Sequence, residues 1–213
     1  AALSDLGYRC DGLDVSATMI GAARRRYPHL TFRLGDQREL AATEPYDVVL
    51  SLGSALLHNK TLPDLRRTLR GFTRCLRPGA LLVIELRNGG YWLSGPGQRD
   101  LAQEHHEVRA LSTGGLLGTT VRYELDLRRQ LLLRQYRWEL PDGSEVREML
   151  AQLLLLPGHL LDELMAVGLV PLASFSEPAP AHGDWNPAVW PREDQLCDPR
   201  LQVVARFGEV EER

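Results

Sequence analysis

The sequence is poor in the residues that mark several classes of protein. It has only three cysteines, Cys10, Cys75 and Cys197, and no CxxC pair. An odd number of widely spaced cysteines argues against a disulfide framework or a zinc site and is typical of a reducing cytoplasm. The densest apolar stretch, the leucines of residues 153–156, is far shorter than the ~20 residues of a membrane span. We therefore expect a cytoplasmic protein that does not cross a membrane.

An excess of positive charge is also missing. The chain has 25 Lys and Arg against 28 Asp and Glu, a net charge of -3, so it offers no basic field to nucleic acid or anionic lipid. Lys60 is the only lysine, and the resulting arginine bias is typical of GC-rich bacterial genomes. With 44% hydrophobic and 25% charged residues in 213, the composition indicates one globular α/β core with room for a smaller inserted element.

The first half of the sequence alternates between short strands and helices. Strands are predicted at residues 8–14, 30–34, 46–52 and 80–86. Ser16 can cap a first helix that Pro28 ends, and a second helix carries apolar residues three or four apart from Leu62 to Leu76. This alternation indicates an α/β, doubly wound and mostly parallel sheet. The apolar run 46–52 predicts a strand buried on both faces.

Residues 87–156 break the alternation. Tyr123 and Leu125 belong to one run of alternating apolar residues, Tyr136 and Trp138 to another, and a Pro-Asp-Gly turn follows. We interpret 87–156 as an inserted antiparallel β lobe and assign 1–86 and 157–213 to the core. A helix over 157–167, closed by Gly168, and strands over 169–175 and 200–207 complete that core. The long loop between those strands, 176–199, suggests a functional role.

Polar residues follow the predicted strands at their carboxyl ends, the edge at which open α/β sheets bind ligands. Asp14 ends one strand, and its carboxylate can accept hydrogen bonds from both hydroxyls of a ribose. Asp36 follows the next strand and can accept a hydrogen bond from an exocyclic amine such as adenine N6. An acid after a strand is more often a helix cap or turn former. Only as an ordered pair do the two indicate an adenosine site.

That ordered set resembles the class I S-adenosylmethionine-dependent methyltransferases. The matching segments are GYRCDGLDVSATMIGAAR, LTFRLGDQREL, PYDVVLSLGSALLH and LRPGALLVIEL, in the family's order and at its spacing. The resemblance implies a Rossmann-like fold and S-adenosyl-L-methionine as cofactor. It also implies a set of cofactor-binding residues: Asp14 and Val15 at the ribose, Met19 on the adenine, Asp36 and Gln37 at the adenine amine, and Ser51 and Leu52 near the methionine end.

A narrower resemblance is to small-molecule enzymes, in particular the N,N-dimethyltransferases of sugar-nucleotide amines. It depends on the general layout and on the SxxSxL-like turn at residues 51–56. The Asn-Pro-Pro-Tyr signature and a Pro-Cys pair, which base-directed enzymes carry, are absent from the sequence. The resemblance therefore implies methyl transfer to nitrogen or oxygen of a small molecule, with homodimerisation left open. A non-catalytic scaffold and a dinucleotide-dependent oxidoreductase are the alternatives. Asp36 and the closing strand pair favour the methyltransferase.

The family's first strand and its GxGxG loop would precede Ala1. Gly89-Gly90 and Gly114-Gly115 are in the wrong place for that loop and are interpreted as turns. We therefore expect residues upstream of Ala1, and we expect residues 1–213 alone to bind the cofactor weakly and to be inactive.

On the acceptor side, methyl transfer requires alignment of the nucleophile, exclusion of water and a proton acceptor. The predicted catalytic residues are His58, Glu85 and Tyr91. Further candidates at the strand ends, in the lobe and in the late loop are Asn88, Trp92, His105, His106, His182, Asp184 and Trp185. We expect no metal site at His105 and His106, because neighbouring residues on a strand point to opposite faces.

Overall fold

The structure is a computed structural model that describes residues 2–40, 44–112, 114–177 and 196–208. The strands are β1 (Asp11–Asp14), β2 (Thr31–Leu34), β3 (Tyr46–Ser51), β4 (Leu76–Arg87), β5 (His105–Ala110), β6 (Leu116–Asp126), β7 (Leu131–Glu139), β8 (Glu145–Leu153), β9 (Leu169–Glu177) and β10 (Arg200–Phe207). The helices are α1 (Ala2–Asp5), α2 (Ala17–Arg26), α3 (Leu62–Cys75), α4 (Gly95–Leu101) and α5 (Pro157–Met165). In these four ranges no helix is long and apolar enough to cross a membrane.

The described strands form three sheets. β1 and β2 pair in parallel, and a second sheet has the order β3-β4-β10-β9. Within it β3 and β4 are parallel, whereas β10 runs antiparallel to both β4 and β9. The strands β5 to β8 form an antiparallel meander. The predicted α/β, Rossmann-like fold is confirmed, and its larger core sheet is mixed because the closing strand pair runs antiparallel.

The helices begin and end where local chemistry requires. Ser16 caps α2, since its Oγ accepts a hydrogen bond from the Met19 amide at 3.3 Å. Thr61 caps α3 in the same way through the Asp64 amide at 3.2 Å. Gly168 follows α5 with φ of 78°, a left-handed conformation that glycine adopts without strain. The helix boundaries follow from caps and turn formers that the sequence shows.

The main hydrophobic core lies between the β4–β10 pair and the helices α3 and α5. One face of β4 is buried at every second residue, and β10 is buried in the same alternation. The helices contribute a stripe from α3 and leucines from α5. The largest fully buried side chains of this core are Leu56, Leu57, Leu65, Leu69, Leu82, Ile84, Leu86, Leu155, Leu160, Leu164 and Leu169.

The prediction that the strand at 46–52 is buried on both faces is wrong. Val48 and Leu50 are 44% and 43% exposed, and only Ser51 of β3 is buried. The physical reason is its position, because β3 is the last strand of its sheet and pairs only with β4 among the described strands. A side-chain contact still links it to the first sheet: the Tyr46 hydroxyl donates to Asp11 Oδ2 at 2.6 Å.

The antiparallel meander is attached to the core sheet through the residues that follow β4. Gly89 donates its amide hydrogen to the Leu155 carbonyl at 3.1 Å. A Cβ at Gly89 would lie 2.3 Å from that carbonyl oxygen, so only glycine permits this approach. The meander is therefore held close to the carboxyl end of β4.

Candidate cofactor and acceptor site

Asp14 lies at the carboxyl end of β1, where the sequence places the ribose-binding acid. The side chain is exposed, and its Oδ1 accepts a hydrogen bond from the Ser16 amide at 2.8 Å. No described residue donates a hydrogen bond to Oδ2. A carboxylate oxygen has two lone pairs, so this group can accept two hydroxyl hydrogen bonds from a ligand without leaving the turn.

A shallow hollow lies next to Asp14. It is lined by Gly12, Leu13, Asp14, Met19, Ile20, Ala23 and Phe32. Met19 is 59% exposed at its rim, and Val15 beside Asp14 is 74% exposed. Apolar side chains grouped around one free carboxylate are typical of a site for a ring that carries hydroxyl groups.

Asp36 follows β2 and is held in place by its own turn. Its Oδ1 accepts from the Arg38 amide at 2.8 Å, and the Arg38 guanidinium pairs with both carboxylate oxygens. These hydrogen bonds from Arg38 lower the pKa of Asp36 to about 2, so the carboxylate is ionised at neutral pH. A ligand amine at Asp36 would therefore share a charged acceptor with Arg38.

Gln37 connects the end of β2 to the residues after β3. Its side-chain amide donates to the Ala55 carbonyl at 2.9 Å. Ala55 begins a 3-10 turn, Ala55–His58, that follows the loop after Ser51. The structure thus brings Asp36, Gln37 and the Ser51–Ser54 loop to the same edge of the fold.

The loop after β3 has an unusual backbone. Gly53 and Ser54 both lie in the left-handed region, at φ of 65° and 66°, which is uncommon for serine. The Ser54 amide donates to the Glu85 carbonyl at 3.1 Å, and its Oγ accepts from the Arg87 amide at 2.9 Å. Ser51 Oγ is buried without a hydrogen-bond partner among the described residues, whereas Leu52 is 51% exposed.

Glu85, a predicted catalytic residue, has both carboxylate oxygens occupied. Oε2 accepts from the Gly53 amide at 2.7 Å, and Oε1 pairs with the Arg200 guanidinium. Arg200 also donates to Ser54 Oγ at 3.3 Å. Glu85 therefore ties the loop after β3 to the first residue of β10.

The other two predicted catalytic residues have different surroundings. His58 is exposed at the end of its 3-10 turn, and no described residue forms a hydrogen bond with its ring. Tyr91 is buried and its hydroxyl donates to Asp100. Burial, reinforced by that hydrogen bond, raises the pKa of Tyr91 to about 12, so its hydroxyl keeps its proton at neutral pH.

The remaining candidates lie around the end of β4 and in the meander. Asn88 is fully buried and donates to the carbonyls of Leu196 and Asp198 at 2.6 and 2.8 Å. Trp92 packs on Tyr123 with ring centroids 4.9 Å apart. Asn88 thus anchors the segment that leads into β10. His182, Asp184 and Trp185 lie outside the described residues.

The neighbouring histidines of β5 contact different groups. The ring of His105 meets Tyr123 edge-on at 5.4 Å, whereas His106 Nδ1 lies 3.0 Å from Thr120 Oγ1. In the described part of the chain, no group of three His, Cys, Asp or Glu side chains could hold a metal ion.

Sequence reasoning missed a group of arginines near the end of β4. Arg87 and Arg200 lie directly opposite each other across β4 and β10. Arg134 of β7 is partly buried, and burial followed by the charge of Arg87 lowers its pKa to about 10. A signal was present in the sequence, because Arg134 is in register with Tyr136 and Trp138 on the alternating apolar face.

Comparisons with known proteins agree with this geometry. Residues 1–79 match a family described as a methyltransferase domain. The chain is 39% identical over 74 residues to the dTDP-4-amino-2,3,4,6-tetradeoxy-D-glucose N,N-dimethyltransferase of Saccharopolyspora spinosa, covering 35% of this chain and 30% of that enzyme. It is 32% identical over 74 residues to the dTDP-3-amino-3,4,6-trideoxy-alpha-D-glucopyranose N,N-dimethyltransferase of Streptomyces venezuelae, covering 35% and 31%. The matched part thus spans less than a third of these curated relatives.

In structure, nearly the whole chain is similar to solved methyltransferases. The CcbJ methyltransferase from Streptomyces caelestis superposes with a TM-score of 0.73 at 17% identity, covering 97% of this chain and 78% of that one. The predicted resemblance to class I S-adenosylmethionine-dependent methyltransferases is confirmed, in sequence over residues 1–79 and in fold over 97% of the chain.

Proposed function

We propose that this protein transfers a methyl group from S-adenosylmethionine to an amine nitrogen of a small molecule, specifically an amino sugar carried on a nucleotide. The observation that carries the proposal is the exposed Asp14 carboxylate beside the apolar hollow, within the segment that matches methyltransferases. The acceptor class is that of the two similar N,N-dimethyltransferases, which act on dTDP-linked amino sugars.

The residues present fit the adenosine part of the cofactor. Asp14 has a free carboxylate oxygen for the ribose, and Met19 offers an exposed apolar surface for the adenine. Asp36 is an ionised acceptor for the adenine amine. Ser51 ends β3, and its buried hydroxyl has no hydrogen-bond partner among the described residues. When bound, S-adenosylmethionine supplies an activated methyl group on a sulfonium.

The three candidate residues on the acceptor side have different roles in the proposed reaction. His58 is our candidate proton acceptor because its ring is exposed and forms no hydrogen bond with a described residue. Glu85 positions the loop after β3, since both of its carboxylate oxygens are already engaged. Tyr91 keeps its proton and donates a hydrogen bond to Asp100, so it is suited to orient Asp100 and not to take up a proton.

We further propose that residues 87–156 select the acceptor while 1–86 and 157–213 form the core. The meander is attached directly after β4 through Gly89 and Leu155. At that end of β4, Arg87 contacts Ser54 of the loop after β3, and Gln37 after β2 contacts Ala55. Exchanging this segment with that of a related enzyme should change acceptor preference without changing cofactor affinity. An exchange that altered cofactor binding alone would contradict this division.

The proposed function is tested by incubating the full-length gene product with S-adenosylmethionine and dTDP-linked amino sugars. Mass spectrometry should show the acceptor gaining one or two methyl groups, and His58→Ala should slow the reaction while S-adenosylhomocysteine still binds. Cofactor binding without methylation of any amine would favour a non-catalytic scaffold. Reduction of a nicotinamide cofactor by the substrate instead would favour an oxidoreductase.

A further inference from the structure

Three arginines converge at the junction of the core sheet and the meander. Arg87 is the last residue of β4, Arg200 is the first residue of β10, and the two are cross-strand partners. Directly opposed side chains on one sheet face lie close together, and like charges there repel. Arg134 of β7 is the cross-strand partner of Tyr123, whose ring packs on Trp92 in the turn that follows Arg87. Burial and then the charges of Arg87 and Arg200 lower the pKa of Arg134 to about 10.

The positive charge of this cluster is only partly neutralised. Glu85 pairs with Arg200. Within the described ranges, no carboxylate lies at ion-pair distance from Arg87 or Arg134. Among the described side chains, three arginines therefore share one ion-paired carboxylate, that of Glu85.

Arg134 is partly buried, and its described partners are uncharged. One Nη donates to Gln152 Oε1 at 3.4 Å, the side chain also hydrogen-bonds Tyr123, and the guanidinium lies 4.9 Å from the Tyr136 ring centroid. Its Nε is buried with no hydrogen-bond partner among the described residues. Burying a charge without an opposite charge is costly, so an arginine held in this way needs an anion to offset that cost.

The cluster also lies close to the proposed reaction site. Arg87 follows Glu85 by two residues, and both the Arg87 amide and the Arg200 guanidinium donate to Ser54 in the loop after β3. A ligand group bound here would lie at the same strand end as the candidate acceptor-side residues. A guanidinium group can form two parallel hydrogen bonds with phosphate oxygens, so a phosphorylated ligand suits this cluster best.

We propose that Arg87, Arg134 and Arg200 form a subsite that binds the phosphate groups of the methyl acceptor. The inference rests on the proposed function for its description of the ligand as an acceptor, whereas the subsite itself follows from the arginine cluster. Arg87 and Arg134, which form no ion pair with a described carboxylate, can bind the two phosphate groups of a nucleoside diphosphate. The subsite would hold the phosphates at the core–meander junction and leave the sugar amine free to reach the methyl group.

Calorimetry on the full-length gene product, saturated with S-adenosylhomocysteine, tests the subsite with three probes: dTDP, inorganic pyrophosphate and thymidine. We expect dTDP and pyrophosphate to bind and to compete with each other, and thymidine to bind far more weakly. Arg134→Gln and Arg87→Gln should each weaken dTDP and pyrophosphate at least about tenfold, as loss of a charged hydrogen bond predicts. S-adenosylhomocysteine affinity should not change.

Arg122→Gln is the matched control. Arg122 is exposed on β6 opposite Gln135, so it lies on the other face of the meander from Arg134. The Arg122→Gln substitution removes the same positive charge as Arg134→Gln and should leave the affinity for dTDP and pyrophosphate unaltered. Thermal unfolding verifies that each variant is folded. If Arg134→Gln does not fold, the binding of dTDP and pyrophosphate by Arg87→Gln tests the subsite.

The outcomes separate the subsite from the proposed function. Equal binding of dTDP by the wild type, Arg134→Gln and Arg87→Gln overturns the subsite, and so does an equal loss in Arg122→Gln. Cofactor binding and methyl transfer without any pyrophosphate binding also overturn the subsite but leave the proposed function standing. Pyrophosphate binding that depends on Arg134, in a protein that methylates nothing, supports the subsite and overturns the proposed function.

Discussion

The N-terminal region and the central core of this protein bury their apolar residues very differently. In residues 2–40, which contain β1, α2 and β2, Ile20 is the only buried apolar side chain. In the core, β4 from Ala80 onward and β10 bury every second residue, and α3 buries four apolar residues. Several large apolar side chains of the N-terminal region are instead exposed, among them Leu13, Val15, Met19 and Leu34.

This difference in burial suggests that the core provides the stability of the fold and that the N-terminal region provides the ligand-binding surface. The core contains the contacts that hold the fold together, whereas the N-terminal region places its apolar side chains and Asp14 where a ligand can reach them. Regions with few buried contacts open more easily, and binding sites are commonly drawn from them. We therefore expect substitutions in the core to change the free energy of unfolding, and substitutions near Asp14 to change affinity.

The largest expected effect is on the core side of this comparison. Leu69 of α3 is fully buried in the main cluster, so Leu69→Ala should lower the free energy of unfolding by about 2–5 kcal/mol. Leu34→Ala is the control in β2, where the side chain is 57% exposed, and it should cost less than about 0.5 kcal/mol. Urea unfolding measures both, and similar losses would contradict the division between the regions.

A smaller effect is expected at the attachment of the meander. Gly89→Ala would place a Cβ 2.3 Å from the Leu155 carbonyl oxygen, and such overpacking costs about 1–3 kcal/mol. Gly158→Ala in α5 places its Cβ in open space and should stabilise by about 0.4–1 kcal/mol. The two changes are chemically identical, so opposite signs in thermal unfolding would support the observed packing. A stabilised Gly89→Ala protein would contradict it.

The smallest expected effect on the free energy of unfolding comes from removing ion pairs of α3, of which there are two to compare. Arg66 forms two hydrogen bonds of 2.7 Å with Glu163 of α5 in the core, whereas Arg67 pairs with Glu39 of the N-terminal region at 3.3 Å. Glu163→Gln should cost about 1 kcal/mol at neutral pH. Glu39 is exposed, and Glu39→Gln should leave the free energy of unfolding unchanged within error.

The contribution of Glu163 should also depend on pH. The hydrogen bond from Arg66 lowers the pKa of Glu163 below its ordinary value. The stabilisation is therefore complete above the pKa of the unfolded glutamate and is lost as the pH falls through the lower pKa of the folded state. The gap in stability between the wild type and Glu163→Gln should narrow on acidification. A gap that is independent of pH would contradict this origin.

The sequence predicted much of this fold because its signals are local. The cap at Ser16, the stripe of α3 and the strand over 200–207 depend on neighbouring residues, and the structure confirms each of them. The helix predicted over 157–167 ends earlier, at Met165 with Ala166 as its cap, and Gly168 lies in the turn that follows. The positions of Asp14 and Asp36 at strand ends follow from the same local patterns.

The features that the sequence did not predict depend on which strands are neighbours in the fold. Local sequence patterns do not encode that arrangement. The exposure of β3 reflects its place at the end of a sheet, and the occupied carboxylate of Glu85 reflects contact with Arg200, far away in the sequence. The convergence of Arg134 with Arg87 and Arg200 needed the arrangement of the meander against the core. Only the apolar register of Arg134 could have indicated it.

The central claim is that the exposed acid at the end of β1 holds the ribose of S-adenosylmethionine, and its most direct test is the affinity of Asp14→Asn for S-adenosylhomocysteine. Asparagine keeps the oxygen that accepts from the Ser16 amide, so the turn should survive while the charged acceptor is lost. Calorimetry on the full-length gene product should show binding weaker by about 2–3 kcal/mol, with unchanged thermal unfolding. Equal affinity of the variant and the wild type would remove Asp14 from the cofactor site and contradict the account.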